Sequence, residues 1–349
     1  MNKKITTGFT ILIILAIFSI LFYLTIKIFL PQKCAITTHE IEVKIKPGTS
    51  VRQIANELQR LKIVRNGDDF VLAAKLFQKS SHLKAGRYAI SPRLSVYNVL
   101  KIISQGKISN SRIVIPEGST SFQIASILAR NLEIDSTQFI RLTTNQEIIT
   151  NFGVEANSLE GYLFPNTYFF PWGISAKEII ATLVHEFRRN VPDSLENLIS
   201  EKGWTLHQIV TLASIIEGEA MVDSERAIVS AVYHNRLKNG ILLQADPTIQ
   251  YIIPDGPRRL LNKDLVIDSP YNTYRYIGLP PGPVNNPGIK SILAALNPAA
   301  VNYIFFVAKG DGTHIFSKTL NEHLNAKSKF DAYRTLINRK KKLDESQRD

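Results

Sequence analysis

The longest apolar run, Phe9 to Leu30, is broken only by Thr10, Ser19, Thr25 and Lys27. Wound as a helix it is about 33 Å long, enough to cross a bilayer. A secretory leader would have a shorter apolar core followed by a small-x-small site. Neither is present, so the pattern predicts one uncleaved membrane-spanning helix. Lys27 lies near its end, where its stem can snorkel to the headgroups. Lys3 and Lys4 on one side nearly balance Lys27 and Lys33 on the other, so charge alone does not orient it.

Beyond this run the periodicity alternates between strand and helix. Glu40 to Ile45 alternates as a strand, and Lys46-Pro47-Gly48-Thr49-Ser50 reads as a turn and helix cap. Val51, Ile54, Ala55 and Leu58 then share one helical face. A helix is predicted from about Asp68 to Phe77, a short strand over Gly86 to Ile90, and a helix from Ser95 to Gln105 that stops at Gly106. The strand, turn and Gln-Ile-Ala helix recur at Ile113 to Ala125, as an internal repeat or as common turn chemistry used twice. Glu133 to Phe152 is helical. Leu159 to Pro171 is dense in aromatics, fit either for a sugar-stacking wall or for a lid over the core. Within it Glu160 precedes Gly161, which permits close backbone approach.

Ala176 to Asn190 is amphipathic, and Pro192 to Lys202 leads into a pair of helices spanning Thr205 to Gly240. Thr205 with Gln208 forms a capping-box signal. Leu206, Ile209, Val210, Ala213 and Ala220 form one stripe, and Glu217 falls on it. The second helix opens at Ser224 and closes at Gly240, its apolar line of Ile228, Ala231 and Val232 ending at Asn235. An acid and an amide at core positions mark a candidate site, since a buried carboxylate must be paired, protonated or used. From Leu242 to Tyr251 the chain reads as extended. The stretch from Ser269 to Pro283 is a proline-stiffened loop. Ser291 to Leu296 is a short helix, Tyr303 to Phe316 a hairpin, Leu320 to about Leu336 a terminal helix, and Asn338 to Asp349 a charged, frayed tail.

A chain of 349 residues has room for two or three domains, and a hydrophobic fraction of 44% describes an ordinary folded protein. The net charge of +12 favours an anionic partner: nucleic acid, acidic lipid or a carboxylate-bearing polymer. The basic residues are spread along the chain, which argues against nucleic acid. Cys34, the single cysteine, rules out an internal disulfide and a cysteine-rich zinc module. The seven histidines are scattered without ligand spacing, so neither a metal nor any other cofactor is expected. P-loop, dinucleotide and nucleophile-elbow patterns are absent, and Ser214 has no candidate base histidine. Carboxylate acid/base chemistry is left, with Glu217 the best acid and Glu219, Asp246 and Glu160 as candidate seconds.

Six ordered blocks then carry a resemblance. They are Leu159 to Tyr168, Leu212 to Glu219, Asn235-Arg236-Leu237, Leu243 to Thr248, Tyr271 to Tyr274, and Gly278 to Pro283. Together they resemble the endolytic murein transglycosylases, the YceG-like family. Two departures are visible: Asn166 stands where an Asp is usual, and Gly218 where a larger, often basic residue is usual.

The resemblance implies an α+β protein with an N-terminal tail and anchor at 1–32, a LysM-like subdomain at 40–107, a catalytic domain at 108–337 and a tail at 338–349. It implies a single-pass protein of the inner membrane with its catalytic part in the periplasm, acting on peptidoglycan strands, with cell-wall synthases as candidate partners. Glu217 matches the family's catalytic glutamate. The sugar's own C6 hydroxyl attacks C1, so one carboxyl group can act as acid and then base. Glu160, Ser214, Glu219, Asn235, Gln244, Asp246, Thr248, Tyr271, Asn272 and Tyr274 are the expected substrate-binding residues. A peptidoglycan-binding scaffold and a muramidase-type hydrolase are the alternatives.

Overall fold

The computed structural model describes residues 2–32, 39–46, 48–106, 110–254 and 256–346. Lys33, Cys34 and Pro47 therefore lie outside the described residues. The chain divides into two units, residues 1–112 with 169–174, and residues 113–168 with 175–349.

The first unit runs α1 (Asn2–Phe29), β1 (Ile41–Ile45), α2 (Val51–Arg60), α3 (Gly67–Leu76), β2 (Gly86–Ile90) and α4 (Val96–Gln105). Strands β1 and β2 pair antiparallel, Ile41 opposite Ile90 and Ile45 opposite Gly86. Val43 and Tyr88, facing one side, close a core with Ile54, Leu58, Phe70 and Leu100. Helix α1 is long and apolar enough to cross a membrane between Ile11 and Phe29, and it is exposed along nearly all of that length. Its last turn enters the unit: Ile28 is buried, and the Phe29 ring lies 5.8 Å from Phe77 and 5.0 Å from Tyr97. Lys27 does not reach outward. Its Nζ lies 3.2 Å from Asp69 Oδ1, a carboxylate on α3.

Strands β3 (Asn110–Val114) and β4 (Thr167–Pro171) form a second two-stranded sheet. The second unit otherwise contains α5 (Ser121–Leu132), α6 (Ser136–Thr143), α7 (Gln146–Asn151), α8 (Ala176–Asn190) and α9 (Asp193–Glu201). There follow α10 (Leu206–Glu219), a 3-10 turn (Asp223–Glu225), α11 (Arg226–Lys238), α12 (Asp246–Ile252) and α13 (Ile289–Leu296). The β5 (Phe305–Ala308) and β6 (His314–Ser317) hairpin and α14 (Leu320–Ser346) complete it.

Helix α10 is the unit's centre, packed on α9, α11, α12 and α13. Every residue from Ile209 to Ile216 is buried, so the helix has no solvent face. The sequence shows a stripe; the structure shows burial all round, because polar Thr211 and Ser214 turn their hydroxyls back onto helix carbonyls. Its start is as expected, with Thr205 Oγ1 accepting from Gln208 N at 3.1 Å and Gln208 Oε1 accepting from Thr205 N at 2.9 Å.

Three boundaries differ from expectation. Asp246 to Ile252 is helical, not extended, because Pro247 sits in the first turn, where a missing N–H costs no hydrogen bond. Helix α11 begins at Arg226, after the 3-10 turn, not at Ser224. Helix α14 continues to Ser346 past the expected end near Leu336, and 347–349 lie outside the described residues.

The sequence repeat has one construction in both copies. Gly48 and Gly118 take φ of +78° and +74°, the left-handed region where a glycine carries no Cβ penalty. Thr49 and Ser119 hydroxyls donate back to the Lys46 and Pro116 carbonyls, each at 2.7 Å. Capping boxes then open α2 at Ser50 with Gln53 and α5 at Thr120 with Gln123.

Replacing Thr205 by Ala removes the cap of the central helix. It should lower unfolding stability by about 1 kcal/mol, read from chemical denaturation at unchanged m-value.

Candidate active site

Two carboxylates leave the buried part of α10 at its C-terminal end. Glu217 and Glu219 are two residues apart, and at about 100° per residue they point to nearly opposite sides of the helix. Their surroundings differ accordingly.

Glu217 is held on both oxygens. Arg226 Nη1 lies 3.0 Å from its Oε1, with both side chains nearly inaccessible at 9% and 6% exposed. Gly288 N donates to Oε2 at 3.0 Å, from the cap position of α13. Arg226 also donates to Asp223 Oδ1 at 3.1 Å and to the Ser291 hydroxyl. Lys290 Nζ closes the cluster on Asp223. Beside it Glu117 is raised above the usual carboxylate range by burial, reinforced by Glu217 and opposed by Arg226 and Lys290. Glu217 thus joins α10 to α11 and α13.

Glu219 lies on the wall of a cavity of about 850 Å³, whose lining includes Gly118, Phe122, Gly218, Asp246 and Asn285. Burial pushes its carboxyl up to about 7, and the negative charge of Asp246 adds to the rise. The Tyr233 hydroxyl, donating to Oε1 at 3.1 Å, and the Asp246 backbone N–H act in the opposite direction. Asp246 itself accepts from the Tyr274 hydroxyl at 2.5 Å. Gly218 explains how α12 comes so near: a Cβ there would fall 2.6 Å from Pro247 Cγ. A larger side chain at this position could not coexist with this approach.

A model of the YceG-like family matches residues 43–329. The chain belongs to that family. It is similar to a protein named endolytic murein transglycosylase from Bacillus subtilis, 32% identical over 306 residues, which are 83% of this chain and 84% of that one. A protein of the same name from Streptococcus pneumoniae is 26% identical over 326 residues, 82% of this chain and 59% of its own length. Among solved structures it resembles a YceG-like protein of Listeria monocytogenes. Identity there is 32% and the TM-score 0.59, covering 83% of this chain and 99% of that one.

In this YceG-like chain the remaining sequence candidates separate into three groups. Asp246 and Glu219 reach the cavity, with Tyr274 directly behind Asp246. Gln244 is exposed and holds φ +48°, a strained conformation of the kind that accumulates at functional sites. Tyr271 lies with its ring 5.1 Å from that of Tyr251, which lines the cavity.

The second group is occupied in holding the backbone. Ser214 is fully buried, donating to Thr211 O at 2.7 Å and accepting from Val284 N at 3.0 Å. Asn235 donates to Val301 O and Tyr303 O, each at 2.9 Å, so both its amide N–H donors are committed to the β5 approach. Thr248 is buried against Ala245 O and Thr273, and Asn272 clamps Leu265 O and Ile267 O. Asn166 donates to Glu186 Oε1 at 2.9 Å.

Glu160 forms the third group. It is buried beneath the start of α5, where Ser121 N donates to both its oxygens at 3.0 and 3.1 Å. Burial raises its carboxyl to about 7 against the pull of these donors and of Asn286. Asn286 donates to Glu160 Oε1 at 2.7 Å and to Ser119 O at 2.9 Å, and accepts from Gly161 N and Leu163 N, each at 2.9 Å. Gly161 is required at φ +88°, since a Cβ would meet Pro283 at 2.5 Å and Val210 at 2.8 Å.

Sequence reasoning missed Tyr233, Arg226, Asn285 and Asn286. The two asparagines directly follow the proline-rich block, and a polar pair after a stiff loop was the available signal. Asn285 is the more telling: its Nδ2 donates to Ser214 O at 2.8 Å, whereas its buried Oδ1 has no partner among the described residues.

The two glutamates should respond oppositely to neutralisation. Glu217→Gln leaves Arg226 without its buried counter-ion and should cost about 3 kcal/mol or more in unfolding free energy. Glu219 has a folded-state pKa above its unfolded value, so its ionisation weakens the fold as pH rises from about 4.5 toward 7. Glu219→Gln should therefore match the wild type at pH 4 and exceed it in thermal stability at pH 8.

Proposed function

We propose that this chain is an endolytic murein transglycosylase. It cuts the bond between N-acetylmuramic acid and N-acetylglucosamine within a glycan strand and leaves 1,6-anhydro ends, with Glu219 as the acid and base. One observation carries the reading: a carboxyl group raised toward neutrality stands on the wall of a cavity sized for a ligand. The relatives' names supply the substrate class. The resemblance gives this role to Glu217; we assign it to Glu219 because Glu217 is held by Arg226 and Gly288 and is absent from the cavity lining.

Glu219 enters protonated and donates to the glycosidic oxygen as the bond to C1 breaks. The C6 hydroxyl of the same muramic sugar then attacks C1, and its proton returns to the carboxylate. The acid is regenerated, and no water is consumed. Burial keeps Glu219 protonated, and like-charge repulsion from Asp246 adds to it. Asn285 Oδ1, the unpartnered acceptor in the lining, takes the N–H of an acetamido group. Gln244 and Tyr271 serve as further sugar contacts.

Helix α1 anchors the enzyme in the membrane, with the second unit on the extracytoplasmic side, where peptidoglycan is. The β–α–α–β order of the first unit supports a LysM-like glycan-binding role for it.

Incubation with purified glycan strands and mass spectrometry of the products tests this. Anhydro-ended internal fragments are expected from the wild type, with at least about a 100-fold loss in Glu219→Gln. Reducing ends would make it a hydrolase, and binding without cleavage a scaffold. The rate should fall as pH rises through about 7, where Glu219 loses its proton. Asp246→Asn removes a charge that raises Glu219, so this limb should move to lower pH; an unmoved limb would sever the link between them. Asn285→Ala should raise KM about tenfold on acetamido-bearing strands and have a smaller effect on de-N-acetylated ones.

A further inference from the structure

We propose a second glycan-binding groove, between α5 and α6, into which the strand runs from the reaction cavity by crossing Phe122. This inference rests on the reading of the cavity given above.

Phe122 is 67% exposed, an unusual place for a phenyl ring, and it contributes to the walls of both the reaction cavity and a second groove of about 400 Å³. It sits in the first turn of α5, which Glu160 holds from below through the Ser121 backbone. The ring's base is therefore fixed while its face is left open. Along α5, Ala125 and Ala129 follow Phe122 at helical spacing and line the groove, with Thr137 of α6 on the other side. Small side chains after an exposed aromatic leave the depth of one sugar ring, and the aromatic face suits a pyranose's C–H face.

Arg130 lies at the far end of the groove. Its two hydrogen bonds go to Ser126, to the carbonyl at 3.3 Å and the hydroxyl at 3.4 Å, both neutral oxygens that leave its charge undiminished. A guanidinium there suits a carboxylate. The muramic lactyl group and its peptide stems carry such carboxylates, whereas an uncharged glycan would have no use for it. The shared phenyl ring makes the second groove a continuation of the first, and an endolytic cut requires a strand that extends beyond the cavity on both sides of the cleaved bond. The occupant is therefore the same polymer, not a second partner.

The test uses the full-length chain in detergent on a Glu219→Gln background, so that strands are bound without being cut. Dissociation constants are measured for long strands and for tetrasaccharides, each with and without peptide stems. Phe122→Ala, and independently Ala129→Trp, which fills the groove without touching the reaction cavity, should each lower the long-to-short affinity ratio about tenfold. Arg130→Glu should weaken only stem-bearing strands. An unchanged ratio in both Phe122→Ala and Ala129→Trp, or equal losses on short and long ligands, overturns the groove. Equal effects of Arg130→Glu on stripped and intact strands overturn the carboxylate contact. Cleavage by the wild type is scored separately, so the groove can fail while the catalytic reading stands, and the reverse.

Discussion

A helix buried on every side must shed its charges at an end, and α10 does so with two glutamates on opposite sides of its last turn. The difference between them is electrostatic. On one side Arg226 and the Gly288 N–H hold the two oxygens of Glu217. On the other side burial, with the like charge of Asp246 added to it, outweighs Arg236 and the direct donors to Glu219, which are a phenol and a backbone N–H. Ionising Glu219 is therefore opposed. That opposition comes first from the burial that the second unit gives the end of α10.

The cavity wall around Glu219 comes from distant parts of the chain, and Asn286 joins them. Its backbone exchanges hydrogen bonds with Gly118 and Ser119, and its side chain reaches Ser119, Glu160, Gly161 and Leu163. The start of α5, the aromatic stretch and the loop before α13 are thereby fixed against one another. All the donors and acceptors of one amide are used, which makes this a rigid junction. Glu160 adds a buried carboxyl to the same junction. Its role is to satisfy the start of α5, so its raised proton affinity reflects packing and needs no part in the chemistry.

Much of this arrangement was legible in the chain. The capping box at Thr205, the helix cap at Ser50 and its recurrence before α5, the strand alternation at Ile41 to Ile45 and the membrane-length apolar run are local signals, and local signals survive folding. The short helix at Asp246 was hidden because Pro247 reads as a breaker until it is placed in a first turn. The choice between Glu217 and Glu219 was hidden for a deeper reason. A stripe argument ranks a residue by its distance from a polar face, and α10 has none. What separates the two acids is Arg226, seven residues past Glu219, and Asp246 on another helix, both of which are tertiary facts. Asn235 shows the same limit in reverse: an amide at a core position looked like a ligand for sugar and is a bracket for two carbonyls.

Asp246 bears on whether such a site needs a second catalytic carboxylate. A hydrolase of the two-carboxylate kind must keep one acid charged to activate water or attack carbon, and that charge has to be available to the substrate. Here the Tyr274 hydroxyl occupies Asp246 Oδ1, and the charge of Asp246 is already expressed as a raised proton affinity on Glu219. Turning that carboxylate toward a water would withdraw a repulsion that adds to the effect of burial on its neighbour. The two tasks compete. The reaction proposed above, whose nucleophile is carried by the substrate, removes the competition: in it Glu219 recovers its proton from the attacking hydroxyl and Asp246 never has to leave Tyr274.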